Sequence, residues 1–121
     1  MSLLEPSEAA DIGLKEEERV CADLGIKFVL HPVRDMHLPE PAAFAALTAD
    51  LASRLRDGAY IAVHCYASIG RSGMLACATL AHFGYAPAEA IAHVSQMRGT
   101  PVPDTPEQAA FIHHIMTHER S

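Results

Sequence analysis

Two hydrophobic periods share this chain, and they meet in its second half. "YIAV" at 60–63 is apolar and β-prone, whereas "MLACATLAHF" at 74–83 is apolar over helical length. Between them, "HCYASIGRSG" at 64–73 is small, polar and glycine-bearing, and so reads as a turn from a strand over 59–64 into a helix over 72–83. That helix is apolar on nearly every side, which predicts a central position. Residues 41–56 carry Phe44, Leu47, Leu51 and Leu55 at helical spacing, with Arg54 and Arg56 near the end. Pro87 opens a further helix with Ile91, Val94 and Met97 on one face, and Thr105 caps a last one docked by Phe111, Ile112, Ile115 and Met116.

The first third is less regular. "SLL" at 2–4 reads as a strand fragment and "PSEAADIG" as a helical turn, with Ser7 as N-cap and Gly13 as terminator. A helix is predicted over 14–24, with Leu14, Val20, Cys21 and Leu24 inward and "KEEER" solvated. Gly25 stops it, and "IKFVLHPV" at 26–33 follows as a strand. The proline-bearing stretches "RDMHLPEP" and "RGTPVPDT" are loops. Strands alternating with helices predict an α/β fold: a parallel central sheet with crossover helices and a C-terminal helical pair.

Composition narrows the function. The 121 residues suffice for one compact domain, expected over 1–121. A net charge of −6 disfavours bulk attraction to nucleic acid or to an anionic membrane. No apolar run approaches the ~18 residues of a membrane span, so no membrane partner is expected. Three irregularly spaced cysteines make no disulfide framework and point to a reducing, cytoplasmic setting. Eight histidines raise a metal reading, with an i,i+4 pair in His114 and His118 and with His31 and His37 flanking a loop. Neither arrangement completes a ligand set, so no metal and no cofactor is expected.

The turn at 64–73 can do chemistry. A strand's end feeding a helix N-terminus presents backbone N–H groups without intrahelical partners, an anion site. Tyr66, Ala67, Ser68, Ile69 and Gly70 are uncharged, and the small ones let the loop curl around a bound group. Arg71 can fork two N–H bonds onto phosphate oxygens. Cys65 would lie beneath the anion's centre, where the same donors favour a thiolate. Ser72 can donate to the sulfur and ease its departure, and His64 can order the loop through a backbone hydrogen bond.

"HCYASIGRSG", together with "HPVRDMHLPEP" upstream and "RGTPVPDTPEQAAFI" downstream, resembles the cysteine-dependent protein phosphatases of the dual-specificity and tyrosine-phosphatase superfamily. Within it, the chain is most similar to small phosphatases like those acting around cyclin-dependent-kinase inhibitors. The resemblance implies a phosphatase-like domain lacking N-terminal strands, with Cys65 attacking phosphorus, Arg71 binding the equatorial oxygens and Asp35 protonating the leaving oxygen. Asp35 also fits by position, in a proline-flanked loop that opens at the same sheet edge as Cys65. Glu40 on that loop and Asp104 before the last helix are its rivals. The family places glycine where Ser68 stands. By the same resemblance Gln108 helps position water, and Arg98 braces the loop. Cys77 is expected in the core, with a resolving-thiol role for Cys65 as the sharper reading.

The uncharged loop disfavours a multiply phosphorylated lipid, which leaves a phosphoprotein or phosphopeptide as substrate. The expected activity is hydrolysis of phosphotyrosine, with phosphoserine or phosphothreonine as further substrates, through a cysteinyl-phosphate. The alternative is an inactive phosphoprotein-binding module. An uncovered sheet edge would invite a homodimer.

Overall fold

The computed structural model describes residues 1–34, 38–66, 70–103 and 105–120. Six α-helices follow in order: α1 (Pro6–Asp11), α2 (Glu17–Asp23), α3 (Pro41–Arg56), α4 (Arg71–Leu80), α5 (Pro87–Arg98) and α6 (Pro106–Arg120), with a 3-10 turn at Ala81–Phe83 after α4. The ends of the longer helices follow from local chemistry. Glu40 caps α3 by accepting from Ala42 N–H at 3.1 Å and from Ala43 N–H, and Pro41 supplies a first position that needs no donor. Ala86 N–H donates to Glu89 at the start of α5, and Gly99, at φ 71, takes the left-handed conformation that closes it. Thr105 and Gln108 bond reciprocally at the head of α6, a capping box.

The predicted parallel central sheet is not formed. Among the described residues there is no strand, only two isolated parallel bridges, Ser2 with Leu30 and Ser2 with His64. The reason lies in the backbone donors. Leu4 N–H bonds to the hydroxyl of Ser2 at 3.2 Å instead of crossing to a neighbour. On the other side, His31 N–H reaches Ser2 C=O but Val33 N–H reaches Leu3 C=O, so the register slips by one residue across Pro32. Segments 1–4, 29–33 and 62–64 therefore run beside one another without a repeating ladder. The homodimer expected through a sheet edge has no such edge among these residues to form on.

Helix α4 holds the centre, as its all-round apolar pattern predicts. It packs against α3, α5 and α6 and buries Met74, Leu75, Cys77 and Ala78. Around it sit Leu3, Phe44, Leu51, Ile112, Ile115 and Met116, and Phe44 meets the edge of Phe111 with ring centroids 5.6 Å apart. Gly73, in the first turn of α4, lies against Val102: a Cβ there would stand 3.2 Å from Val102 Cβ. Two expectations in the first third fail. The N-cap of α1 is Glu5, not Ser7, and its N–H donates to Glu8. Val20 of α2 and Leu24 just past its end are 43% and 69% exposed, because that short helix lies at the surface.

Truncating Phe44 to alanine would remove a ring at the meeting of α3 and α6. We expect Phe44→Ala to cost about 3–5 kcal/mol, read as a lower urea midpoint at an unchanged slope.

Candidate active site

Segment 62–64 leads into Cys65, and α4 begins at Arg71, so Gly70 and Arg71 stand at a helix N-terminus. The first N–H groups of α4 have no acceptors within the helix, and its cap residue Gly70 brings no side chain to cover them. Cys65 is buried, and its Sγ lies 3.4 Å from Ser72 Oγ. In this bond the thiol is the donor and the Ser72 hydroxyl the acceptor, the reverse of the donation to sulfur read from the sequence. Tyr66 is half exposed beside it. Asp35, Ala67, Ser68 and Ile69 lie outside the described residues, and so does Asp104.

Arg71 is the least expected arrangement. It is only 2% exposed, and its guanidinium is spent on protein groups. Nη1 and Nη2 donate to the two oxygens of Glu8 at 2.7 and 2.8 Å, and Nη1 also donates to Val33 C=O at 2.8 Å. This is a bidentate, charge-assisted fork on a carboxylate supplied by α1. The hydrogen bonds from Arg71 hold the Glu8 carboxyl below its ordinary value of 4.5, against the opposing effect of burial. Sequence reasoning missed Glu8 because a single acid in a short surface turn gives no sign of a partner 63 residues away.

His64 is held as firmly. Its N–H donates to Met1 C=O at 3.1 Å, its C=O accepts from Leu3 N–H at 3.0 Å, and its ring Nε2 lies 2.7 Å from Glu17 Oε2. The backbone bonds run to the N-terminal segment and not to the loop that His64 was expected to order. Nor does the contact to Glu17 follow from the sequence, since "KEEER" was expected to be solvated throughout. Glu16, Glu18 and Arg19 are indeed exposed, but Glu17 turns inward.

The remaining candidates separate cleanly. Glu40, the rival acid, already serves as the cap of α3. Gln108 is buried in the capping box of α6. Arg98 is exposed in the last turn of α5, where it lines a hollow with Ser72 and Gly73. Cys77 is fully buried, and burial pushes its thiol up to about 12, which keeps it protonated and a poor nucleophile. The described residues include no group of three His, Cys, Asp or Glu side chains able to hold a metal ion. No helix among them is long and apolar enough to cross a membrane.

The fold has counterparts among solved structures. A crystal structure of kinase associated phosphatase (KAP), with serine in place of its catalytic cysteine, superimposes with a TM-score of 0.89 at 20% identity, covering 99% of this chain and 68% of that one. The active form of Tk-PTP superimposes with a TM-score of 0.81 at 24% identity, covering 96% of this chain and 76% of that one; a mutant form of Tk-PTP gives the same score over 97% and 75%. The chain thus shares its fold with these phosphatase structures. Residues 17–91 match the family described as cyclin-dependent kinase inhibitor 3 (CDKN3), and the chain belongs to that family. No curated protein sequence matches it.

The Arg71–Glu8 pair makes a stability prediction. Glu8→Ala leaves a buried guanidinium without its carboxylate and is expected to cost about 3 kcal/mol in urea unfolding. Because Glu8 titrates lower in the fold than outside it, the pair's contribution is full above about 4.5 and is lost as the pH falls through the depressed value. Glu8→Gln should lack that acid-dependent component in melts recorded from pH 6 downward to about 3.

Proposed function

We propose that this chain is a cysteine-dependent protein phosphatase, hydrolysing phosphotyrosine and also phosphoserine or phosphothreonine on proteins or peptides. The observation that carries the reading is Cys65 Sγ beside Ser72 Oγ at 3.4 Å, at the head of a helix whose first residue is Arg71. Membership of the cyclin-dependent kinase inhibitor 3 family supports it.

The chemistry runs in two steps. The Cys65 thiolate attacks phosphorus in line, forming an S–P bond as the P–O bond to the leaving oxygen breaks, and Asp35 gives that oxygen its proton. Water then attacks the cysteinyl-phosphate with Asp35 as base. The S–P bond breaks, and Ser72 donates to the departing sulfur. Tyr66, Ala67, Ser68, Ile69 and Gly70 would surround the phosphate with N–H donors, and Arg71 would meet its oxygens after sharing or releasing Glu8. Gln108 is assigned a supporting part only, since its side chain already caps α6. The single domain spans 1–121 in this reading and works in the cytoplasm, where free cysteines stay reduced.

Hydrolysis of p-nitrophenyl phosphate in EDTA tests this directly. Wild type should turn over and Cys65→Ser should not. Folded but equally inactive proteins would overturn the reading and leave phosphoprotein binding as the surviving role. Opposite protonation demands on Cys65 and Asp35 predict a bell-shaped kcat/KM profile, with the alkaline limb flattened in Asp35→Asn.

A further inference from the structure

We infer that Glu17 is a positioning residue for the Cys65 nucleophile, acting through the ring of His64. The inference rests on the phosphatase reading for its catalytic consequence, though not for its geometry. His64 immediately precedes Cys65, so whatever fixes His64 fixes the peptide from which the nucleophile departs. Two of its backbone bonds run to Leu3 and Met1. They set where the main chain lies but leave the imidazole free to rotate. Glu17 supplies the missing constraint. Its Oε2 lies 2.7 Å from His64 Nε2, and the two side chains are 21% and 26% exposed. A carboxylate oxygen accepts, so this bond calls for a proton on Nε2 and holds the ring in one orientation.

The carboxylate is itself anchored. Glu17 is the first residue of α2, and its N–H donates to Leu14 C=O at 3.1 Å. The helix is thereby tied to the nucleophile's turn across 47 residues of sequence. Its acidic neighbours take other roles: Glu16 pairs with Arg19 at 2.9 Å on the open surface, and Glu18 is exposed. One acid of the "KEEER" run is therefore singled out by geometry, which gives a built-in control at the adjacent position. Small displacements of a reacting group are costly in rate, up to about a hundredfold for an ångström. A group that holds the peptide before Cys65 should act on turnover and on thiol reactivity more than on substrate affinity.

The test compares wild type, Glu17→Ala, Glu17→Gln and Glu18→Ala. Three quantities are read: kcat and KM for p-nitrophenyl phosphate, the iodoacetamide alkylation rate at Cys65 resolved by peptide mass spectrometry, and Tm. Glu17→Ala should lower kcat and Cys65 alkylation about tenfold, with KM changed by less than about twofold. Glu17→Gln, which keeps an acceptor for Nε2–H, should recover most of both. Glu18→Ala should match wild type. Fully buried Cys77 serves as the internal monitor of unfolding. Equal behaviour of Glu17→Ala and Glu18→Ala would overturn the inference. So would a loss in Glu17→Ala that tracks a fallen Tm and newly exposed Cys77, since Glu17 would then be merely structural. A wild type without turnover, whose Cys65 alkylation still depends on Glu17, would uphold the positioning role and overturn the phosphatase reading instead.

Discussion

A guanidinium out of water must be met by acceptors or it destabilises the fold that buries it. At Arg71 that demand organises the molecule. The carboxylate comes from α1, a carbonyl comes from the segment ending at Val33, and the arginine opens α4. Three stretches far apart in sequence therefore meet at one cation. The meeting sets the orientation of α1, whose only claim on the interior is Glu8 and the residues beside it, and it seats the head of α4 next to Cys65. The stability of the fold and the seat of Cys65 therefore share one interaction, so neither can be altered at Arg71 without the other.

What could be read from the sequence was what is local. The helices over 41–56, after Pro87 and after Thr105 declare themselves through proline, caps and a 3.6-residue apolar period, and the central place of α4 follows from having no polar face. The Cys65–Ser72 pairing was legible for the same reason, because a turn from extended chain into helix confines both residues within eight positions. The sheet was not legible. β-prone composition over 2–4, 26–33 and 59–64 says nothing of where each N–H will point. Here the Ser2 hydroxyl and the slip across Pro32 divert the donors that a ladder would need. Glu8 and Glu17 escaped notice because a lone carboxylate looks the same in sequence whether it meets water or a hydrogen-bond partner 63 or 47 residues away. For Asp35, the matter ends with the sequence, since that residue lies outside the described segments.

Several candidates for the chemistry are occupied elsewhere by structural duties. Glu40 closes the first turn of α3, Gln108 closes that of α6, and Cys77 is sealed in the core as a protonated thiol. Capping and burial thus commit Glu40, Gln108 and Cys77 to the scaffold.

The close approach of Gly73 to Val102 carries a consequence for how this sequence can drift. A methyl group at position 73 would press on Val102 Cβ at 3.2 Å, and the Val102 side chain would have to give by a few tenths of an ångström. Residues 71–73 and 100–103 are consequently bound as one spacing problem: a larger side chain at 73 is admissible only alongside a smaller one at 102. Variation at these two positions should travel in pairs, and a lineage that changed one alone would reveal the strain as a shifted loop before α6, not as a new chemistry at Cys65.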